Sequence, residues 1–151
     1  MTKILAINGA YRRNGLTDQT LAALQQFIEA AGGTIEIVHL REQPIEFCLN
    51  CRECTQLPGA TPGSCVLQDG MQELIDKIEW ADGYILISSC AAPGILGRYF
   101  FATRKQLAMT ARTIGAAPVG TLFTGLVGTS PQPEITARMH SRMRRLASKL
   151  V

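Results

Sequence analysis

The sequence predicts an α/β protein whose open, doubly wound parallel sheet has four strands and helices on both faces. Short apolar runs, as expected for strands buried on both faces, alternate along the 151 residues with segments of helical periodicity. The links between these segments are short, and right-handed crossovers put the connecting helices on both faces of such a sheet. A composition of 46% hydrophobic and 18% charged residues fits a globular protein, so we expect residues 1–151 to form one domain with a long excursion at 41–68.

The first strand and the first helix are predicted from their residues and from their ends. Residues 3–8 form a short apolar run broken by Gly9, which is typical of a buried parallel strand. Thr17 is a good N-cap, an acidic residue follows it, and the next apolar residues recur at helical spacing. Two glycines at 32–33 end this helix.

The rest of the chain repeats the alternation of strand and helix. Residues 41–68 contain three prolines and show no clean period, so they are predicted to form a long structured loop. Asp69 is an N-cap for a helix with apolar residues at i, i+3, i+4 and i+7. The elements predicted after the first helix are a strand at 34–40, a helix from 69 to about 82, a strand at 84–89, a helix at about 96–113, a strand at 118–124 and a last helix with an apolar face from 135 to 150.

Composition and charge exclude several classes of protein. No stretch of about 20 residues is apolar throughout, and the apolar run at the N-terminus is too short for a signal peptide, so we expect a cytoplasmic protein with no membrane partner. The net charge of +3 is unevenly divided, since residues 1–82 have 6 basic and 11 acidic residues whereas residues 83–151 have 9 basic residues and only Glu134. The basic half lacks interleaved aromatic residues, so we expect no nucleic-acid partner.

The segments at the carboxyl ends of the strands are predicted to form a ligand site, because ligands bind there in doubly wound sheets. These segments are 9–17, 89–97 and 124–132. The first has two glycines, an asparagine, two arginines and a threonine at the start of a helix, a set that favours a bound phosphate. The fingerprints of dinucleotide and P-loop sites are absent, so a mononucleotide phosphate fits better. An ordinary strand-to-helix turn with solvated arginines remains the alternative.

Four of the five cysteines cluster in the excursion. Cys48, Cys51 and Cys54 are spaced C-x2-C-x2-C, and Cys65 follows. Thiolates at this spacing can converge on one iron–sulfur cluster or close a structural zinc site, and the spacing does not decide between the two. Four free thiols are the third interpretation.

No catalytic side chain is predicted. Cys90 ends the third strand, but its spacing to Arg98 is C-x7-R and does not fit a phosphatase loop, so a packing role is favoured. His39 and His140 are interpreted as surface or capping residues. The sequence offers no Ser-His-Asp arrangement.

Taken together, these motifs resemble the NADPH-dependent FMN reductase and iron–sulfur flavoprotein family, which has the flavodoxin-like fold. Residues 9–17 read G-A-Y-R-R-N-G-L-T and resemble the family's phosphate loop G-S-P/Y-R-x-N-G-x-T, without its serine. The cysteine run, with a further cysteine before D-G-M at 69–71, resembles the family's cysteine segment. Residues 88–94 resemble the family's G-S-P-V-Y/N-x-G loop at the flavin ring and retain Ser89 and Gly94.

The resemblance implies FMN as cofactor, NAD(P)H as electron donor and a 4Fe-4S cluster or zinc on the four cysteines. It assigns the FMN phosphate to Ala10, Tyr11, Arg12, Asn14, Gly15, Leu16 and Thr17. It assigns the flavin ring to Ser89, Cys90, Ala91, Ala92, Pro93, Gly94, Thr124 and Gly125. The metal ligands it implies are Cys48, Cys51, Cys54 and Cys65.

The resemblance also bears on strand order, assembly and function. It implies a flavodoxin-like sheet ordered 2-1-3-4 that lacks the family's usual fifth strand. An uncovered fourth strand is an open edge, so we expect a homodimer or homotetramer.

An FMN-dependent oxidoreductase with a small-molecule or protein electron donor and acceptor is favoured, and such an enzyme needs no acid–base residue because the cofactor does the chemistry. The alternative is a non-enzymatic flavodoxin-like module with a structural zinc or a thiol-sensing cysteine site.

Overall fold

The three strands of the fold are separated by helices, and two helices follow the third strand in the described part of the chain. The computed structural model of the protein describes residues 1–56, 63–88, 103–124 and 134–151. In chain order, the elements in these ranges are β1 Lys3–Asn8, α1 Leu16–Ala30, β2 Thr34–His39, a 3-10 turn Leu40–Glu42, α2 Glu53–Gln56, α3 Met71–Trp80, β3 Gly83–Ile87, α4 Thr103–Thr113 and α5 Ala137–Leu150.

β1 is the central strand of a parallel sheet ordered β2-β1-β3. Lys3 pairs with Thr34, and the register continues to Asn8, which lies opposite His39 on one side and Ile87 on the other. Because the strands are parallel, their carboxyl ends meet at one edge of the sheet. This is the order of the first three strands in flavodoxin-like sheets, and it confirms the predicted α/β class.

Helices cover both faces of the sheet. Successive residues of β1 point to opposite faces, and both Ile4 and Leu5 are fully buried. Ile4 packs with Ile28 of α1 and Ala147 of α5, whereas Leu5 packs with Leu74 of α3. The sheet is therefore the middle layer of three, with α1 and α5 on one side and α3 on the other.

The observed helix starts lie close to the predicted ones. The two predicted N-caps are wrong, however. α1 begins at Leu16 with Gly15 as its N-cap, so Thr17 lies inside the helix. The N-cap of α3 is Gly70, and Asp69 before it accepts a hydrogen bond at 3.0 Å from the backbone N–H of Met71, the first residue of the helix. These polar residues next to apolar periodic segments explain why the helices could be placed from the sequence.

The predicted fourth strand at 118–124, and with it the last step of the order 2-1-3-4, is not seen. These residues are described, but they belong to no strand in the described part of the chain. Leu122 instead packs against the cluster that contains Met139 and Met143 of α5. The carbonyl of Thr121 accepts a hydrogen bond from Arg142 at 3.4 Å. Leu122 is thus packed against a helix, whereas Val119 and Phe123 of the same run are exposed.

Several predictions fall on residues that the structure does not describe. The helix predicted at about 96–113 is seen as α4 from Thr103 onward, and its predicted beginning lies outside the described residues. The same holds for residues 89–94 and for Gly125. Among the described helices, none has the length and apolar character needed to cross a membrane.

Candidate phosphate loop and cysteine concavity

The turn between β1 and α1 is fixed at its base by the sheet. The backbone N–H of Gly9 donates to the carbonyl of Ile87 at 2.9 Å, which ties the start of the turn to the end of β3. Asn8, the last residue of β1, is fully buried. A buried polar side chain at this position must find partners, and it finds them in the turn and in its neighbours.

The Asn8 side-chain amide has three partners, and they determine its orientation. Its Oδ1 accepts from the N–H of Ala10 at 2.9 Å, and its Nδ2 lies 2.7 Å from Oδ1 of Asp18 and 3.0 Å from Nδ1 of His39. A carboxylate only accepts, so both N–H groups of Asn8 donate, one to Asp18 and one to His39. The side chains of Asp18 and His39 thus meet at the Asn8 amide.

Asp18 lies in the first turn of α1 and holds the tip of the loop. Its Oδ2 accepts from the N–H of Asn14 at 2.7 Å, and Asn14 has a left-handed backbone with φ 56°. Burial alone raises the pKa of the Asp18 carboxyl, but hydrogen bonds from Arg41, Asn14 and Asn8 outweigh it and hold the pKa below its ordinary value. Asp18 is therefore ionised at neutral pH.

Arg41 approaches the loop from the turn that follows β2. Its Nη1 and Nη2 donate to the two carboxylate oxygens of Asp18, each at 3.1 Å, and Nη1 also donates to the carbonyl of Ala10 at 3.1 Å. The side chain is 9% exposed. Its buried Nε has no hydrogen-bond partner in the described residues, although Oε1 of Glu42 lies 3.4 Å away. Ala10 is thus held through its N–H by Asn8 and through its carbonyl by Arg41.

This network leaves a set of donors available at the outer side of the loop. The first N–H groups of a helix have no partner within the helix, and Gly15 has no side chain with which to cap those of α1. Thr17 in that turn makes no side-chain hydrogen bond to the described residues, and Arg12 is exposed with no ion pair to them. Helix-terminal amides, a hydroxyl and a guanidinium are the donors that a phosphate monoester requires. The residues present therefore fit a phosphate group.

The predicted phosphate residues differ in which of their groups are still available to a ligand. The N–H groups of Ala10 and Asn14 are already bonded to Asn8 and Asp18. Tyr11 is 91% exposed, so its side chain is accessible. Gly15, Leu16 and Thr17 form the start of α1, with their amides at the outer end of the loop.

Thr124, predicted near the flavin ring, lies at the same end of the molecule as the loop. Its hydroxyl is 3.9 Å from Sδ of Met139, and it borders a concavity of about 320 Å³ at the start of α5 together with Thr136 and Arg138. Leu16 of α1 packs against the same core cluster as Met139. The other predicted ring residues, 89–94 and Gly125, lie outside the described residues.

Sequence reasoning missed the side chains that support the loop: Asn8, Asp18, His39 and Arg41. One signal was available, because Asn8 is a polar residue that ends an apolar buried strand. Arg41 gave no comparable signal, since an arginine after a strand is most often solvated. Its role depends on the pairing of β1 with β2, which brings Asn8 opposite His39.

The four clustered cysteines line one concavity of about 400 Å³. Cys48, Cys51, Cys54 and Cys65 are all exposed free thiols. Arg52 also lines the concavity and has a left-handed backbone with φ 66°. A non-glycine residue held in this region is strained, and such strain is concentrated at functional sites.

Local backbone contacts shape this concavity. The N–H of Asn50, another left-handed residue, donates to Sγ of Cys48 at 3.4 Å. Gly63 packs against the backbone of α2 so closely that a Cβ there would lie 2.9 Å from the Cα and carbonyl oxygen of Cys54. Only glycine fits this contact. Residue 63 therefore lies against α2, two positions before Cys65.

The base of the cysteine loop is closed by Asp69. Its Oδ2 accepts from the N–H of Glu46 at 2.8 Å, and the N–H of Gly70 donates to the carbonyl of Pro44 at 3.0 Å. The hydrogen bonds from the backbone N–H groups of Glu46 and Met71 lower the pKa of Asp69. Both ends of the loop are therefore anchored at the start of α3.

The thiols share a concavity without converging on a single ion. In the part of the chain that the structure describes, no group of three or more His, Cys, Asp or Glu side chains is arranged to hold one metal ion. Tetrahedral zinc with bonds of about 2.3 Å needs its four sulfurs roughly 3.8 Å apart. The donor set suits a soft metal centre, but its spacing does not form a closed zinc site.

The fold and these two features define a flavodoxin-like α/β protein with a candidate phosphate loop after β1 and a cysteine loop after β2. The family model described as NADPH-dependent FMN reductase matches residues 2–93, which is more than half of the chain. The chain therefore belongs to the NADPH-dependent FMN reductase family. The match includes both the phosphate loop and all four clustered cysteines.

Curated relatives match a little over half of the chain. An iron–sulfur flavoprotein of Archaeoglobus fulgidus is 33% identical over 86 residues, which are 57% of this chain and 37% of the relative. An iron–sulfur flavoprotein of Methanocaldococcus jannaschii is 27% identical over 93 residues, which are 62% of this chain and 46% of the relative. The chain thus matches less than half the length of either relative.

Among solved structures, one described as a flavone reductase matches 79% of this chain and 38% of its own. The TM-score is 0.41 and the sequence identity is 21%.

Proposed function

We propose that the protein is an FMN-dependent oxidoreductase that binds the FMN phosphate on the loop between β1 and α1. The observation that carries the proposal is the set of outward-facing donors at the start of α1, on a loop whose backbone is fixed from behind at Ala10 and Asn14. Because the loop is already held in place, a phosphate entering it does not have to order it first. Family membership supports FMN as the phosphate-bearing ligand.

In this proposal, both Arg12 and the first-turn amides of α1 bind the FMN phosphate. The N–H groups of Leu16 and Thr17 lie at the positive end of the α1 dipole, where an anion is stabilised. Arg12 is exposed and has no carboxylate partner in the described residues, so its guanidinium is available to pair with the phosphate. The other predicted phosphate residues form the turn that leads into α1, and they are Ala10, Tyr11, Asn14 and Gly15.

The flavin ring is assigned to the same end of the sheet. We keep residues 89–94 and Gly125 as proposed ring contacts and add the observed position of Thr124 as support. When bound there, FMN supplies the hydride and one-electron chemistry. This chain's own residues bind and orient it. The proposed electron donor is NAD(P)H, or an electron-carrier protein, and the proposed site of action is the cytoplasm.

We also propose that the four cysteines hold an iron–sulfur centre, preferably a 4Fe-4S cluster. The support is their shared concavity, the hydrogen bond from the Asn50 N–H to the sulfur of Cys48, and the strained backbone of Arg52. Hydrogen bonds to the sulfurs are one way in which proteins set the potential of such centres.

A homodimer or homotetramer is proposed on the surface around the cysteine concavity. Phe47 is 96% exposed and Leu49 is 67% exposed, and Val66 beside them is half-exposed. Large apolar side chains clustered at a surface are typical of an interface. Size-exclusion chromatography with light scattering would test this, and a monomer would contradict it.

The test of the proposed function is the content of the purified protein and its affinity for FMN. Protein prepared without oxygen should contain flavin, and iron if the second proposal also holds. Arg12→Ala should weaken FMN binding by about 1.5–3 kcal/mol through loss of a charge-assisted contact. The matched control Arg112→Ala, on the exposed side of α4, should leave FMN affinity unchanged. Failure of the wild-type protein to bind FMN would contradict the proposal, and an unaltered affinity in Arg12→Ala would contradict the placement of the phosphate.

A further inference from the structure

The loop that is proposed to bind a phosphate contains a carboxylate of its own. Asp18 accepts the N–H of Asn14 at 2.7 Å, so its negative charge is held within the loop and next to the first-turn amides. The hydrogen bonds that lower its pKa keep this carboxylate ionised at neutral pH. Two like charges in one site repel, so an unpaired Asp18 would oppose a phosphate dianion.

The structure shows what pairs with this carboxylate. Arg41 donates both Nη groups to the two oxygens of Asp18, each at 3.1 Å, from a side chain that is 9% exposed. A planar fork facing a carboxylate is the strongest form of this pair and holds the two groups in one geometry. The Arg41 side chain lies behind the loop and also holds the carbonyl of Ala10.

The charges around the loop are otherwise balanced. Glu42 lies 3.5 Å from Arg13, which is itself on the loop, and 3.4 Å from Nε of Arg41, so this second carboxylate has two cations. Nδ1 of His39 lies 3.0 Å from Nδ2 of Asn8 and 3.9 Å from Oδ1 of Asp18. Among the described residues, Arg12 is then the cation of the loop without an anionic partner.

We propose that Arg41 is a positioning residue that makes the loop selective for a phosphorylated flavin by cancelling the charge of Asp18. With Asp18 neutralised from behind, the amides of α1 and the Arg12 guanidinium determine the field that an incoming phosphate meets. Arg41 thus favours phosphate binding without contacting the phosphate. This inference rests on the proposed function, since it assumes that FMN is the ligand of the loop.

The test compares FMN with riboflavin, which has the same ring and lacks the phosphate. Arg41→Gln should weaken FMN binding about tenfold or more, because the phosphate then faces an unpaired carboxylate. Riboflavin affinity should stay within about threefold of wild type, since no second anion is brought in. An equal loss for both ligands would mean that Arg41 serves only to maintain the fold, and it would overturn the proposal.

A second substitution separates charge cancellation from direct contact. Adding Asp18→Asn to Arg41→Gln removes both charges, and the preference for FMN over riboflavin should return to within about threefold of wild type. If the preference stays lost, Arg41 acts on the phosphate itself and the proposal fails. If Arg41→Gln does not fold, Asp18→Asn alone decides the matter. It leaves the Arg41 cation behind the loop without the Asp18 charge, so the preference for FMN over riboflavin should rise above wild type, and an unchanged or lower preference would overturn the proposal. Arg145→Gln, which removes the same charge from the exposed side of α5, is the matched control and should bind both ligands as wild type does.

The wild-type protein distinguishes failure of this inference from failure of the proposed function. If wild type binds neither FMN nor riboflavin, the proposed function fails. The inference is then tested with inorganic phosphate, read from the NMR signals of the Leu16 and Thr17 amides. Phosphate should shift these signals in wild type and in the double variant, and much less in Arg41→Gln. Absence of a shift in wild type, or an equal shift in Arg41→Gln, would overturn it.

Discussion

Removal of the Asp18 carboxylate tests the network behind the phosphate loop most severely. Asp18→Ala deletes four hydrogen bonds, from the Asn8 amide at 2.7 Å, the Asn14 N–H at 2.7 Å and the two nitrogens of Arg41 at 3.1 Å each. It also leaves the guanidinium of Arg41, which is nine-tenths buried, with Glu42 at 3.4 Å from Nε as its remaining carboxylate. All the lost partners are donors, and an unsatisfied buried donor is costly.

The expected loss is at the lower end of the range for a broken buried ion pair. That range is about 3–5 kcal/mol, and the Asp18 side chain is 17% exposed, so water partly compensates the change. We therefore expect a decrease of about 3 kcal/mol in the free energy of unfolding. For a chain of this size, that corresponds to a fall in Tm of about 6–12 °C.

Thermal and urea unfolding followed by circular dichroism would measure this loss. Asp18→Asn retains the size of the side chain and one carbonyl acceptor, so its loss should be smaller than that of Asp18→Ala. The control is Glu79→Ala on the exposed side of α3, which should change stability by less than about 0.5 kcal/mol. A change for Asp18→Ala no larger than that of the control would refute the network described for the loop.

Three further predictions concern pH, the core and the cysteine loop. The folded state lowers the pKa of Asp18, so the stabilisation from this carboxylate is complete above the ordinary value of 3.8 and is lost as the pH falls through the lower folded value. Urea titrations at several acid pH values should show this loss of unfolding free energy in wild type and a smaller loss in Asp18→Asn. An equal dependence on pH in the two proteins would contradict the prediction. Met143 is fully buried, so Met143→Ala should lower the free energy of unfolding by about 2–5 kcal/mol, whereas Met109→Ala, at a site 66% exposed, should change it little. Gly63→Ala should push residue 63 away from the backbone of Cys54 and lower the iron bound per protein, with little change in Tm. An unchanged iron content would show that this contact does not form the site.

The sequence predicts the helices and strands best where their ends have polar markers. β1 was placed by an apolar run that ends at Asn8 and Gly9, and α3 by Asp69 and the apolar spacing after it. These signals are local, because a cap or a turn involves residues that are neighbours in the chain. The candidate phosphate loop is a prediction of the same local kind, since its glycines and arginines are contiguous.

The features that the sequence could not predict depend on partners far apart in the chain. Residues 118–124 have the composition of a strand, but Leu122 packs against the α5 cluster and Val119 and Phe123 are exposed. The ion pair of Asp18 and Arg41 joins residues 23 positions apart, and it forms only because β2 lies beside β1. A sequence shows that both residues are charged, but it does not show that they meet.

One measurement tests the central proposal most directly, namely a titration of the labelled protein with FMN, monitored through the backbone amide signals at the start of α1. The proposed site predicts that FMN shifts the signals of Leu16 and Thr17 and that riboflavin, which lacks the phosphate, leaves them close to their original positions. Signals that do not move with FMN, or that move equally with both ligands, would contradict the assignment of the phosphate to this loop.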